Sequence, residues 1–414
     1  MKRKVPGWKI LVGMFVLIGV ILGGTWTWAS RIQTRRWADM ERRIEEIQSW
    51  KQSLPASRPV LRGEPLPGNA WDDYLPAIAG ARSAPGRDKL YQFLQRDGKV
   101  DRDDVDAIVE DARAHVERLR LGARRAEGRK VFLKGDLQST NSSVPYAGYL
   151  VNFALSRVRL LTERQESRPA MELALDVCQF ARDLGSLGGR SNEASACGYM
   201  DSALGALRDL LWSGQVSKED CAELCRELEI LDRSFPRHAD TLLCDVEDNG
   251  IQLREKVPDS LWESPRGERQ ITAWDARWFL GSTRLMALDC FWTMDDWARR
   301  FQGYDERPWD IVIQEEKAVQ EDSRRFRNPL NWGLWGSGYL RIQRAHLRLV
   351  SAIAGYRVTG EAPDLDDPFG GKLRRSAPGQ PLKFWSVGAD GVDDGGSGDW
   401  NARTGKDIVL EAWK

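Results

Sequence analysis

Ile10 to Ala29 reads ILVGMFVLIGVILGGTWTWA, a run without a charged residue. A helix of about 20 apolar residues rises far enough to cross ~30 Å of hydrocarbon. Trp8 precedes the run, and Trp26 and Trp28 close it. Tryptophan favours the headgroup zone because its ring is apolar and its N–H needs a partner. A cleaved signal has a shorter apolar core, about 7–15 residues, and a small-residue cleavage site. Here bulky Trp28 stands between Thr27 and Ala29. The run is therefore read as an uncleaved transmembrane helix over 10–29. Lys2, Arg3, Lys4 and Lys9 precede it, and Arg31, Arg35, Arg36, Arg42 and Arg43 follow it. The basic count is nearly even, so the short, acid-free tail decides the orientation: residues 1–9 are expected in the cytoplasm and the body outside.

Beyond the run, Met40, Ile44 and Ile47 recur at helical spacing, flanked by Trp37 and Trp50. The pattern predicts an amphipathic helix over 36–51, continuous with the span. Such a helix packs on its own domain, pairs with a second copy or lies on lipid; docking on its own domain is the usual use of such a stripe. Residues 54–69 hold four prolines, which fix φ and remove backbone donors. They read as a linker, so 30–69 forms a juxtamembrane helix and a Pro-rich connection.

A helical domain is expected over 70–358. Four apolar stripes step by three and four: Val105, Ile108, Ala112, Val116, Leu119; Leu173, Val177, Phe180, Leu184; Met200, Leu204, Leu207, Leu211; and Leu224, Leu228, Leu231. Ser217 precedes the last of these, with Glu219 and Asp220 behind it, an N-terminal capping pattern. Gly188 and Gly189 break the chain between two of the helices. Residues 147–231 look like successive helical hairpins without a repeat signature. Ile271, Trp274, Trp278, Gly281, Leu285, Leu288 and Trp292 form a seam at core spacing, with an aromatic ligand groove as the alternative. The run 331–338 is turn-like and lacks the context of a phosphate loop. A last long helix is predicted over 338–357, with Ile342, His346, Leu349, Ile353 and Tyr356 on one face.

Composition excludes some functions. Lys and Arg number 61 against 61 Asp and Glu, so the chain lacks the basic excess of a nucleic-acid binder. With 42% hydrophobic and 29% charged residues it is neither disordered nor polytopic. His115, His238 and His346 are too far apart for a local metal motif. His346 on an apolar face reads as a core residue with a hydrogen bond rather than a catalyst. Cys178, Cys197, Cys221, Cys225, Cys244 and Cys290 are even in number, but a chain of 414 residues does not need staples. Buried thiols are favoured over disulfides, and the Cys221–Cys225 pair lacks partners for a metal.

The C-terminal segment 359–414 changes texture. It is rich in Gly, Asp and Pro, with short strands expected at 382–387 and 408–410. Asp390, Asp393, Asp394 and Asp399 lie among glycines. Two readings stand: a calcium loop of oxygen ligands, or a surface loop whose carboxylates accept from nearby backbone N–H groups. The spacing is not that of an EF-hand.

The order Tyr356-Arg-Val-Thr-Gly, Pro363, Asp367-Pro-Phe-Gly-Gly, Pro381-Leu-Lys-Phe-Trp-Ser-Val-Gly, Asp390-Gly, Asp393-Asp-Gly-Gly and Lys406-Asp-Ile resembles the C-terminal part of type II secretion major pseudopilins. It looks even more like the tails of bacterial single-pass membrane proteins with helical bodies. The resemblance spans about residues 340–410. It implies a Ca²⁺ loop at Asp390, Asp393, Asp394 and Asp407, and no catalytic activity. The chain departs from it by the extra residues Gly398 to Lys406 and by the absence of a prepilin-like start to the apolar run.

Together these readings give a mainly α protein: an N-terminal transmembrane helix, a multi-helix ectodomain and a small Gly/Asp-rich C-terminal module with short β-strands. The expected place is the bacterial inner membrane, single-pass. The expected role is a non-enzymatic binding or envelope-assembly protein with a protein partner in the envelope and no nucleic acid. An anchored glycosidase-like hydrolase is the alternative, with Asp289, Asp295 and Asp296 as its carboxylates. A pseudopilin-like secretion component is a further one.

Overall fold

The computed structural model describes residues 7–94, 101–128, 137–256, 283–325, 336–402 and 406–411. It is mainly helical. By its internal contacts the chain divides into two compact units, one made of 1–54 with 244–298 and the other of 55–243 with 299–414.

The first unit is built on α1 (Gly7–Ser53), with parts of α10 (His238–Lys256) and of α11 (Thr283–Arg300). The predicted stripe over 36–51 lies in the second half of α1. Trp37, Met40, Ile44 and Ile47 are buried, together with Val246, Ile251, Leu288, Phe291 and Met294. The amphipathic stretch is thus docked on its own unit. Gly250 sets the closeness of the helices: a Cβ there would lie 2.6 Å from Ile44 Cδ1 and 2.9 Å from Phe291 Cε2.

The expected transmembrane helix is corrected here, and with it the inner-membrane location. Among the described residues no helix is long and apolar enough to cross a membrane. The apolar run is not a free-standing segment but the opening of a 47-residue helix. These apolar side chains are exposed: Phe15 is 71% and Val20 66% accessible.

The second unit is a helical body with two small sheets. A clasp opens it: β1 (Leu66–Asn69) pairs in parallel with β2 (Arg125–Glu127). This strand lies at the end of the expected Pro-rich linker, where no strand was predicted. Between β1 and β2 run α2 (Ala70–Ser83), α3 (Arg87–Leu94), α4 (Arg102–Asp111) and α5 (Arg113–Ala123). Asn69 starts α2 by accepting from Trp71 N–H with its side chain. The stripe predicted from Val105 to Leu119 is divided between α4 and α5, which meet at buried Ala112.

The core follows as α6 (Leu137–Glu163), α7 (Ser167–Gly185), α8 (Arg190–Trp212) and α9 (Lys218–Arg233). Every residue of α7 from Ala170 to Gly185, apart from Glu172, is buried. Gly188 and Gly189 have φ of 77° and 80°, a region open to glycine, and turn the chain from α7 to α8. Ser217 caps α9 as predicted, accepting from Asp220 N–H at 3.0 Å. Tyr74 joins α2 to α7: its ring meets Phe180 edge-on at 4.8 Å and its hydroxyl donates to Asp183 at 2.9 Å.

A 3-10 turn (Tyr304–Glu306), α12 (Trp309–Arg325) and α13 (Gly336–Thr359) lead to the C-terminal module. There β3 (Arg374–Arg375), β4 (Lys383–Ser386) and β5 (Ile408–Glu411) form an antiparallel sheet in the order β3-β4-β5. β4 and β5 pair from Lys383 with Glu411 to Ser386 with Ile408, and both rest on α13. The expected strands at 382–387 and 408–410 therefore lie side by side. Most of the tryptophan seam (271–287) and the run 331–335 lie outside the residues or side chains described. Of the seam, Leu288 is buried and Trp292 half-buried.

Candidate functional site

The C-terminal module carries the predicted cation ligands. Glycine lets its loop fold back on the segment before β5. At Gly398 a Cβ would fall 1.7 Å from Asp407 O, and at Gly388, with φ +69°, 2.3 Å from Lys406 O. The carboxylates of this loop face donors. Asp407 is buried and accepts from Gly396 N–H at 2.7 Å and Asp394 N–H at 3.3 Å. Asp393 accepts from Trp385 Nε1 at 3.0 Å, Gly395 N–H at 3.0 Å and Arg374 Nε at 2.9 Å. The bond from Trp385 is the main reason its carboxyl titrates below the usual range. Asp390 accepts from Val392 N–H at 3.0 Å, and Asp399 from Asn401 N–H at 2.7 Å.

The fold thus brings Asp393, Asp394 and Asp407 together, but the carboxylates of Asp393 and Asp407 accept from N–H groups, and Asp394 takes part through its backbone N–H, which donates to Asp407. Among the described residues no group of three or more His, Cys, Asp or Glu side chains could hold a metal ion. Sequence reasoning passed over Asp367, quoted above only within the resemblance. It is buried and accepts from Ser386 Oγ at 2.7 Å, Val387 N–H at 2.9 Å and Phe369 N–H at 3.0 Å. Burial nevertheless raises its pKa.

His238 and His346 are buried and engaged, and His115 is half-buried. His346 on α13 stacks on Trp400, with ring centroids 4.0 Å apart and planes 15° apart. Its Nε2 lies 2.7 Å from Trp400 O, and its Nδ1 2.8 Å from Asp201 Oδ1 of α8. His238 Nδ1 lies 3.0 Å from Glu193 Oε1, also on α8. The sequence placed His346 on a core face, as found; its acidic partner, 145 positions away, gave no local signal.

The proposed glycosidase acids belong to the first unit. Asp289 pairs with Arg36 of α1, and buried Asp295 accepts from Arg43 Nε at 2.8 Å. Both hold α11 to α1. Cys178, Cys197, Cys221, Cys225 and Cys244 are free, and all but half-buried Cys225 are buried; Cys290 lies outside the described side chains. Burial pushes the Cys225 thiol up to about 11 and Cys244 to about 12, and raises Cys178 and Cys197 further. Such thiols stay protonated and are poor nucleophiles.

A dense polar cluster on α7 was not read from the sequence. Arg62 grips Asp176 of α7 through Nε and Nη2 at 2.8–3.1 Å and reaches Glu172 at 2.9 Å. Arg120 adds a contact to Asp176 at 3.3 Å. Arg58 lies 3.1 Å from Asp183, and Arg182 donates to Pro59 O at 2.7 Å. Gln179 accepts from Leu61 N–H at 3.2 Å. Burial pushes Asp176 up to about 6 against the pull of Arg62 and Arg120. The cluster fastens the Pro-rich segment to α7. Its signal was the spacing of Asp176, Gln179 and Asp183 along one face of an otherwise apolar helix.

A shallow concavity of about 470 Å³ lies at the turn from α2 to α3, lined by Arg82, Arg87 and Lys89 among others. Its cations are engaged. Arg82 and Arg87 lie over the rings of Tyr146 and Tyr149, and Lys89 pairs with Asp104 at 2.7 Å. No family model, curated protein or solved structure matches the chain.

Proposed function

We propose that this chain is a non-enzymatic assembly protein whose helical body presents the first half of α1 for association with a second copy. One observation carries this reading: from Val12 to Leu22 every large apolar side chain of α1 is exposed. A contiguous apolar patch on a folded chain marks a surface to be covered. The second copy is the favoured occupant because the same stretch carries Gly19 and Gly23 one turn apart, and a Cβ at either would meet nothing within 4 Å. Two such helices approach closely at these notches and bury their flanking Phe15, Val16, Val20 and Leu22. The chemistry of the polar groups agrees. Two of the acids that might have formed a hydrolase pair, Asp289 and Asp295, are ion-paired, and the described cysteines are held as thiols.

Light scattering on the full chain, combined with photo-crosslinking from position 18, tests the proposal. Wild type is expected at twice the chain mass with an α1–α1 crosslink. Gly19→Leu with Gly23→Leu should weaken association, and Phe15→Asp with Ile18→Asp should abolish it. A monomeric wild type overturns the reading. So does capture by phosphatidylcholine vesicles without an α1–α1 crosslink.

A further inference from the structure

We propose that the turn from α2 to α3 is a seat for a phosphoryl group, the charged end of a small phosphate monoester. The inference is independent of the association surface on α1. One stretch of chain, 82–89, lines the concavity of about 470 Å³, and among its lining residues Arg82, Arg87 and Lys89 are cations while none is an acid. That volume falls among those of small-molecule sites, about 300–1,000 Å³. The turn is set before any ligand arrives. Pro85 fixes its own φ, and Gly86 takes φ +74°, where a Cβ would lie 2.6 Å from Ile108 Cδ1 of α4. Ala84 N–H donates to Ala81 O at 3.3 Å and Lys89 N–H to Gly86 O at 3.0 Å, which closes α2 and opens α3.

The two guanidiniums are held in place as well. Arg82 lies over the Tyr146 ring at 3.9 Å and Arg87 over the Tyr149 ring at 4.6 Å. Those rings stand one turn apart on α6, with centroids 6.4 Å apart and planes 22° apart. Stacking engages the face of a guanidinium, whereas its N–H donors lie in its plane. Arg87 Nη1 donates to Arg82 O at 2.6 Å, which ties the two residues together. An arginine already ordered on a ring loses less freedom when it meets an anion.

Charge selects the ligand. Lys89 pairs with Asp104 at 2.7 Å, so it adds little field to the concavity. Other acids of α4 turn elsewhere: Asp101 accepts from Asp103 N–H at 3.1 Å and Asp106 from Arg164 at 2.8 Å. Arg82 rests on an aromatic ring, which orders its charge without neutralising it. A carboxylate has two oxygens, which one guanidinium satisfies as a fork. Two guanidiniums on one concavity suit a group with three terminal oxygens and up to two charges, as a phosphate monoester has.

Isothermal titration of the full chain at constant ionic strength tests the seat, with methyl phosphate, inorganic phosphate, acetate and chloride as probes. Both phosphates are expected to bind at one site, and acetate and chloride at least about tenfold more weakly. Arg82 is exposed, so its replacement should leave the fold intact. Arg82→Gln should weaken phosphate binding about tenfold, and Arg82→Lys should recover only part of it, since an ammonium keeps the charge without the fork. Tyr146→Leu removes the platform but no charge and should weaken binding about threefold. Lys89→Met should change it by less than about twofold. Equal binding of acetate and methyl phosphate overturns the seat, as does an unchanged affinity in Arg82→Gln. Capture by phosphatidic acid vesicles without binding of either soluble phosphate also overturns it.

Discussion

The two halves of α1 share one continuous helix but not one fate. From Val12 to Leu22 the apolar side chains are exposed, whereas Trp37, Met40, Ile44 and Ile47 are buried within the first unit. Total hydrophobicity does not explain the difference, since the exposed half is the more apolar. Periodicity does. The second half alternates apolar and charged residues at helical spacing, which gives it one face to bury and another to leave in water. Arg36 and Arg43 extend that attachment to Asp289 and Asp295 on α11, and Lys51 reaches Glu247 on α10 at 2.6 Å.

The strongest way to break the contrast is Ile44→Asp, which sets an unpaired carboxylate among Gly250 and Phe291. We expect a loss of more than about 4 kcal/mol in denaturant unfolding. Asp295→Ala comes next. It leaves Arg43 partly enclosed without its main partner and should cost about 2–3 kcal/mol, discounted for the exposure of Arg43. Gly250→Ala should cost about 1–3 kcal/mol through crowding of Ile44, with no change in charge.

A pH test sharpens the same comparison. Burial pushes Asp248 up to about 6, above its unfolded value. A raised folded pKa means that the contribution to stability is full below the unfolded pKa and is lost as pH rises through about 6. Exchange protection over 37–51 should therefore fall from pH 5 to 7.5, and Asp248→Asn should flatten the change. The smallest effect belongs to the outer half: at concentrations where the chain is dissociated, Phe15→Ser should alter unfolding by less than about 0.5 kcal/mol. A larger loss there would mean that the outer half is packed on the first unit after all.

Local signals in the sequence located most of the helices. The stripes ending at Leu184, Leu211 and Leu231 recur every three to four residues, and Ser217 marked a helix start through bonds within one turn. The strands 383–386 and 408–411 were visible as short apolar pieces between turn residues. What escaped was non-local. β1 lies in a proline-rich stretch and exists because Leu66 and Asn69 pair with Arg125 and Glu127. Arg58 and Arg62 fall in the expected linker, yet their partners Asp183 and Asp176 lie on the buried helix α7. The continuation of the first helix past residue 29 was legible, but the reading of residues 10–29 as a membrane span is not borne out, since among the described residues no helix is long and apolar enough to cross a membrane. At the candidate site the aspartates of the C-terminal loop were legible as oxygen donors. Their engagement by backbone N–H groups depends on how glycines fold the loop onto Lys406 and Asp407.

The clasp of β1 and β2 has a consequence for how this chain tolerates rearrangement. In this parallel pair the excursion through α2–α5 departs at Asn69 and returns at Arg125, beside Leu66, so its ends lie roughly 11 Å apart, one short strand length and one strand spacing. A stretch with neighbouring ends is a natural place for splicing: an unrelated domain with similarly close termini could be grafted there without stretching the remaining body. A single nick near Pro85 would likewise leave two fragments held together by the clasp and by the packing of α2 against α5.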